Sequence, residues 1–315
     1  MGKDQDQERK QMFDFVGKTA FITGGASGAG LGQAKVFAAA GCRVVIADIR
    51  QDAIDTALAE LRAGGAQAHG IRLDITDRAA FAQAADEAES VFGPVHLLFN
   101  TAGVSIFGPL EKATYDDYDW IMGVNWWGVV NSMQTFVPRM LAHGQGGHIV
   151  NTASLGCFFA NSGAGIYSAS KFAVHGITMA MRDALKDKGV GVSVLCPANI
   201  RSNIAESVKT RPAHLSDSGY QVDEREIAAL QEIYSQGMDP EELAGHVKAA
   251  IEENRFYIIP YPEARPMLEA IFQQVLDALP PIDSDLEGQA KRNSAMGRYV
   301  EARRQMDSER YGEGG

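Results

Sequence analysis

The chain has 315 residues, 45% of them hydrophobic, enough for a sizeable core in one large α/β domain or two small ones. Its formal net charge is −11 with no cluster of Lys and Arg to offset it, which argues against a nucleic-acid partner. Cys42, Cys157 and Cys196 lack paired or metal-ligand spacing, the opening "MGKDQDQERKQMF" lacks an apolar signal segment, and no apolar run approaches the roughly 18 residues of a membrane span, so a soluble, cytoplasmic, reduced protein without a metal is expected.

Beyond a polar extension at 1–13, short apolar runs rich in β-branched residues alternate with segments of helical period. The runs "TAFIT" (19–23), "RVVIAD" (43–48), "HGIRLD" (69–74), "VHLLFN" (95–100), "HIVNTAS" (148–154) and "GVSVLCPA" (191–198) predict buried strands. Between them, "GLGQAKVFAAAG", "QDAIDTALAELRAGG", "DRAAFAQAADEAESVFG" and the segments over about 115–141 and 166–188 predict helices. A further helix over 239–255 opens with an Asp cap and a proline and leads to a seventh strand, "FYIIPY" (256–261). Strand and helix alternating at this spacing require right-handed crossovers. The fold predicted over 14–283 is a single domain, a doubly wound, Rossmann-type sheet of seven parallel strands with helices on both faces. Residues 199–238 are polar and weakly helical, a long connection that reads as a substrate lid. Residues 284–315 form a charged tail, expected to be partly mobile or to lie across a neighbouring subunit.

The first strand runs into "TGGASGAGLG" (23–32), where Gly24, Ser27, Gly28 and Gly30 suit a tight turn whose amides, at a helix N-terminus, meet a pyrophosphate. The spacing is not G-x-G-x-x-G, and a plain Gly-rich loop is the competing reading. Position favours a nucleotide: Asp48 ends the second strand 18 residues after Gly30, where a carboxylate can accept from ribose hydroxyls. That carboxylate would repel an extra phosphate, so NAD is favoured over NADP, although Arg50 is near enough to reach a phosphate.

In "GIYSASKFAVHG" (165–176), Tyr167 and Lys171 stand four residues apart on one helix face. Alone they read as an exposed polar pair. Ser154, however, ends the fifth strand, and a strand end and a helix start both deliver side chains to the ligand-binding edge of a parallel sheet. A free tyrosine has a pKa of about 10, and an ammonium with a positive nicotinamide could lower it by about two to three units, letting Tyr167 exchange a proton near neutral pH. Ser154 would hydrogen-bond the reacting oxygen.

These segments together resemble the short-chain dehydrogenase/reductase family, over roughly residues 14–262. The resemblance implies the catalytic set Asn125, Ser154, Tyr167 and Lys171, with Asn125 holding a water in a proton relay and Lys171 gripping the nicotinamide ribose. It implies that Gly24, Gly28 and Gly30 form the pyrophosphate turn, that Asp48 binds ribose, and that Asp74 with Ile75 contacts adenine. Asn100, Ala102 and Gly103 would lie beneath the adenosine ribose, and Pro197, Ile200 and Ser202 would contact the cofactor. Two departures stand out: "NTAG" places Thr101 where a second asparagine is usual, and "PAN" (197–199) replaces Pro-Gly.

Ser105, Phe107, Leu155, Cys157, Phe158 and Ile204 are the candidate pocket residues, mostly apolar, and they predict a bulky, weakly polar aromatic substrate. Ordinary core is the alternative for Phe158, and Cys157 reads first as a small buried apolar residue. The stretches "GGASGAGLGQAKVF", "PANIRSNIAE" and "YIIPYPE" resemble the Cα-dehydrogenases of bacterial lignin breakdown. That resemblance implies NAD-dependent oxidation of the benzylic alcohol of a β-aryl ether to a ketone. A hydroxysteroid or other bulky-alcohol dehydrogenase is the alternative, and a nucleotide-sensing protein without catalysis is a remoter one. Trp126, Trp127, Phe136, Phe172 and Met179 form an apolar outer face that predicts a homodimer or homotetramer.

Overall fold

The computed structural model describes residues 13–311. Seven strands form one sheet: β1 (Thr19–Thr23), β2 (Arg43–Asp48), β3 (Ala68–Arg72), β4 (Val95–Asn100), β5 (Gly147–Thr152), β6 (Val190–Leu195) and β7 (Tyr257–Ile258). Every neighbouring pair is parallel, in the order β3-β2-β1-β4-β5-β6-β7. The β-branched residues of these runs fit a pleated surface buried on both sides. β7 is shorter than its apolar run because Pro260, two residues on, has no amide to extend a ladder. The strand order reverses between β1 and β4, where Thr23 and Asn100 are register partners, and a crevice opens beyond their C-terminal ends.

Alternation along β1 sends Ala20 and Ile22 to one face and Phe21 to the other. Helices α1 (Gly28–Ala39), α2 (Gln51–Ala63) and α8 (Pro240–Glu252) bury Phe37, Ile54 and Val247 with Ile22. On the opposite face, α3 (Arg78–Phe92), α5 (Gly128–His143) and α6 (Gly165–Ala184) cover Phe21, with Phe81 and Phe136 in the same cluster. The Phe136 ring centroid lies 4.6 Å from that of Phe21. Phe136 therefore does not belong to an outer apolar face, since burying a ring of this size contributes about 1.5–3 kcal/mol. Trp126 also packs partly inward, while Trp127, Phe172 and Met179 remain 46%, 44% and 49% exposed.

The segment over 115–141 is not one continuous helix. Helix α4 (Tyr115–Met122) starts at a capping box between Thr114 and Asp117, and a π-helical turn at Gly123–Trp127 separates it from α5. In that turn the Gly128 amide donates to the Gly123 carbonyl, five residues back, so the helix widens at Asn125.

Residues 199–238 contain 3₁₀ turns at Ile204–Thr210 and Ala213–Leu215 and a regular helix, α7 (Glu224–Ser235), capped by Asp223. They are fastened to α4 through fully buried Asp117, which accepts from Arg211 Nη1 at 2.6 Å, Ser218 Oγ at 2.7 Å and the amides of Gly219 and Thr114. Burial would raise the pKa of this carboxyl, but the bonds from Thr114, Arg211, Ser218 and Gly219 hold it below the usual carboxylate range.

Residues 264–311 form a second unit of two helices, α9 (Arg265–Asp277) and α10 (Leu286–Tyr311). Helix α10 carries ion pairs at (i, i+4), Glu287 with Lys291 and Arg303 with Asp307, which support a polar helix. Among the described residues no helix is long and apolar enough to cross a membrane, and no group of three His, Cys, Asp or Glu side chains could hold a metal.

Candidate active site

Ser27 occupies the N-cap position of α1 but makes no side-chain cap, and the first turn carries no acidic residue. The amides at this helix start therefore remain open to an anion. Gly28 has φ +48, a left-handed conformation that a side chain would strain, and its α-carbon faces Ser202. A Cβ at Gly30 would collide with the Gly24 carbonyl, so the turn closes tightly only with glycine there. A cavity of about 490 Å³ borders Gly28, Ser202, Arg201 and Tyr234. Asp48 stands at the end of β2, where it accepts the Arg50 amide at 3.1 Å, and Asp74 Oδ1 accepts from Thr76 N–H at 2.9 Å. Ile75 is buried, and its carbonyl accepts from Asn131 Nδ2 at 2.9 Å. Asn100 donates to Asn151 Oδ1 at 2.7 Å while its own Oδ1 is buried without a partner. Ala102 donates to Thr23 Oγ1 at 3.2 Å beside Gly24. The open amides, the left-handed glycine and the unpaired oxygen at the sheet edge fit a dinucleotide lying across the switch between β1 and β4.

Ser154 follows β5 in extended conformation, and its Oγ accepts from the Gly156 amide at 3.1 Å and donates to the Pro197 carbonyl at 3.4 Å. Tyr167 lies in the first turn of α6, near enough for the Ser154 side chain to act on its hydroxyl. Lys171 lies one turn on, with Nζ 5.6 Å from the centroid of the Tyr167 ring and 3.0 Å from the Thr152 carbonyl, to which it donates. Asn125 accepts the Val104 amide at 2.8 Å and donates to the Val104 carbonyl and to Ser170 Oγ, each at 3.0 Å. Both amide hydrogens of Asn125 are used, and Oδ1 keeps one lone pair for a further donor. Gly103 lies against Asn125 Oδ1 and Lys171 Nζ, so the two heads meet the segment after β4.

With no cofactor charge beside it, Tyr167 does not show the lowered pKa expected for a proton exchanger. Burial pushes the Tyr167 hydroxyl up to about 12, outweighing the lowering effect of the Ser154 side chain. Burial also brings the Lys171 ammonium down to about 8. Both heads lose water at once, and the ammonium turns toward the Thr152 carbonyl rather than the phenol oxygen, so desolvation outweighs their mutual attraction.

The six pocket candidates do not form one site. A cavity of about 260 Å³ is lined by Ser105, Phe107 and Ile204, together with Val208, Glu226 and Leu230. Leu155, Cys157 and Phe158 are absent from it. The 3₁₀ turn at Leu155–Cys157 carries Leu155 and Cys157 inward, where Cys157 Sγ lies 3.7 Å from Cys196 Sγ. Phe158 packs instead on His175 and Tyr257, with ring centroids 5.0 and 6.1 Å away.

A family profile described as short chain dehydrogenase matches residues 18–213, which span the candidate nucleotide-turn and catalytic positions above. The chain belongs to the short-chain dehydrogenase family. A C alpha-dehydrogenase of Sphingobium sp. (strain NBRC 103272 / SYK-6) is 54% identical over 286 residues, 90% of this chain and 94% of that protein. The apo-form crystal structure of LigD from Sphingobium sp. strain SYK-6 is 48% identical with a TM-score of 0.73, over 85% of this chain and 100% of that one. A short chain dehydrogenase/reductase from Burkholderia phymatum in complex with NAD is 36% identical with a TM-score of 0.80, over 86% and 99% of the two chains.

In this short-chain dehydrogenase the two unusual segments have local structural partners. Thr101 Oγ1 donates to Gln33 Oε1 at 2.6 Å and its amide donates to Thr23 Oγ1 at 3.0 Å, tying the segment to α1 and β1. Asn199 Nδ2 donates to the Ile233 carbonyl at 2.6 Å, and the Met238 amide donates to the Asn199 carbonyl at 3.0 Å, so the two ends of residues 199–238 meet. Ile200 pairs with Met238 in an isolated bridge beside Pro197, the acceptor of Ser154. Sequence reasoning missed Ser170, the partner of Asn125, and the contribution of α7 to the cavity. The spacing of Ile227, Leu230 and Tyr234 is the signal that could have found α7.

Proposed function

We propose that the chain oxidises the benzylic Cα-alcohol of a β-aryl ether to the ketone, with NAD as hydride acceptor. One observation carries the reading: 54% identity to a C alpha-dehydrogenase along nearly the whole of both chains. The apolar cavity at the lid supports it, because about 150 Å³ suffices for a benzene ring and this cavity offers about 260 Å³. Asp48 supports NAD over NADP, since a carboxylate at the end of β2 repels a phosphate there.

Bound NAD would accept hydride from the carbinol carbon and bring a positive ring to the site. Tyr167, ionised to the phenolate, would then take the carbinol proton at its oxygen, a state open to it only when a nearby positive charge offsets the burial that raises its pKa. Ser154 stands beside Tyr167, and its Oγ would hydrogen-bond the same substrate oxygen as charge develops. Lys171 supplies positive charge beneath the phenol ring, and Asn125 fixes the Val104 segment and offers its free lone pair to a water that passes the proton outward. The buried free cysteines suit a reducing cytoplasm, and exposed Trp127, Phe172 and Met179 suit assembly of two or more copies.

The test is NADH formation followed by absorbance with a two-ring β-aryl ether alcohol, a hydroxysteroid and a small aryl carbinol side by side. The two-ring alcohol is expected to have the highest kcat/KM. A clear preference for the steroid, or no NADH from any aryl ether, would overturn the reading.

A further inference from the structure

We propose that Cys157 and Cys196 are a reversible modification site, a dithiol that a peroxide converts to a disulfide and that draws Ser154 out of position when it closes. The inference goes beyond the proposed reaction and concerns its control. Its starting point is one contact: the two Sγ atoms lie 3.7 Å apart, and the residues are 1% and 0% exposed. Both thiols are free, and a disulfide sets its sulfurs about 2.0 Å apart, so these side chains, already facing each other, have less than about 2 Å to close.

The surroundings make Cys157 the thiol that reacts and Cys196 the one that resolves. The contact with Cys196 and the nearby His175 hold the Cys157 thiol below its ordinary range, against the opposing effect of burial. The contact with Cys157 and burial push Cys196 up. The thiolate is the nucleophile, so Cys157 attacks first. Cys42 shows the contrast: its Sγ donates to the Phe15 carbonyl at 3.2 Å, and burial pushes it up to about 12. The pair also lies just inside the open edge of the sheet. The Cys196 amide donates to the Ile258 carbonyl at 3.0 Å in edge strand β7, beside Tyr257, which is 40% exposed and whose hydroxyl lies 3.1 Å from half-buried His175 Nε2. An oxidant as small as hydrogen peroxide suits so narrow an approach.

The chemistry needs only that oxidant. The Cys157 thiolate attacks one peroxide oxygen, the O–O bond breaks, and a sulfenic acid forms while the departing hydroxide takes up the proton Cys157 released. The Cys196 sulfur then attacks the sulfenic sulfur. An S–S bond forms, the S–O bond breaks, and the second hydroxide leaves as water with the Cys196 proton. Two thiols are oxidised to one disulfide, and the peroxide is reduced to two waters.

The bond acts on Ser154 because both cysteines adjoin the segments that aim it. Ser154 Oγ accepts the Gly156 amide at 3.1 Å, and the Ser154 carbonyl accepts the Cys157 amide at 3.0 Å. Cys196 precedes Pro197, whose carbonyl accepts from Ser154 Oγ at 3.4 Å and from the Leu155 amide at 2.9 Å. Drawing the sulfurs together pulls on both segments, and misplacing a reacting group by about 1 Å costs up to about 10² in rate.

The experiment treats the full-length chain with a few equivalents of hydrogen peroxide, alkylates the remaining thiols under denaturing conditions and maps the peptides by mass. Of the three cysteines only Cys42 is expected to be alkylated, with the peptides of Cys157 and Cys196 joined and lighter by two hydrogens. Turnover of the two-ring alcohol in the same samples should fall at least about tenfold. Dithiothreitol should restore it, which it does not do for oxidised methionine. Cys196→Ala removes the resolving sulfur, so after the same treatment its Cys157 should be trapped by dimedone as the sulfenic acid, with no cross-link. Alkylation of all three thiols in treated wild type, a cross-link that leaves turnover within about twofold, or a loss that dithiothreitol does not reverse would overturn the proposal. The cross-link is read without substrate, so failure of the two-ring alcohol to yield NADH would count against the aryl-alcohol reading, and the peptide map would still decide the dithiol.

Discussion

Lys171→Met isolates the cost of placing an ammonium at the proposed catalytic centre. Lys171 is 4% exposed, and burial lowers its pKa from 10.5 to about 8. A lysine whose folded pKa is depressed destabilises the fold fully below that pKa, and the cost is relieved as pH rises from about 8 toward the unfolded value of 10.5. At about 1.36 kcal/mol per pH unit, the full cost is about 3 kcal/mol near pH 7 and under about 1 kcal/mol near pH 10. Methionine of similar length removes the charge but leaves the Thr152 carbonyl without its donor, a loss of about 1–3 kcal/mol that does not depend on pH. The stability of Lys171→Met relative to wild type should therefore fall by about 2 kcal/mol between about pH 7 and pH 10, below the range where Tyr167 titrates. For a chain of 315 residues that is a change of about 3 °C in the Tm difference, read by thermal denaturation of the cofactor-free proteins at both pH values. A difference that stays constant across this range would refute the reasoning.

Asp117→Ala should destabilise the protein by about 3–5 kcal/mol, because it leaves Arg211 buried without its carboxylate. Limited proteolysis should then cut first within 199–238, and Tm and cleavage order check both statements. Asp48→Ser should weaken NAD and improve NADP, shifting the ratio of their kcat/KM values by about tenfold or more; native preference for NADP in steady-state kinetics would sink the assignment. Light scattering at micromolar concentration should show a dimer or tetramer, and Trp127→Glu together with Phe172→Glu should dissociate it by placing charges on the exposed apolar face.

The strands were legible because β-branched runs bounded by glycine and polar residues have few other uses in a chain of this composition. The same holds for the spacing of Tyr167 and Lys171, since helical geometry alone puts them on one face. Asn125 was legible as a residue but not in its setting: nothing local in "GVNWWG" distinguishes a π turn from an ordinary helix, and the widening accompanies bonds to Val104 and Ser170 that lie far off in sequence. Helix α7 was hidden because none of its residues is buried, which leaves only a faint apolar stripe. Phe158 and Cys157 were misdirected because the direction of a side chain after a strand depends on the turn that follows, and a 3₁₀ turn there sends Cys157 toward Cys196. The pKa values of Tyr167 and Lys171 turn on burial, which residue spacing does not report.

The central claim is that Tyr167 moves the carbinol proton in an NAD-dependent oxidation. The most direct measurement is the rate of NADH formation from a two-ring β-aryl ether alcohol by wild type and by Tyr167→Phe, with NADH binding followed by fluorescence in the same samples. Removing one hydroxyl takes away a proton acceptor and little packing, so turnover should fall by about 10²–10⁴ while NADH affinity changes little. Retention of about a tenth or more of the wild-type rate, at unchanged NADH affinity, would contradict the account.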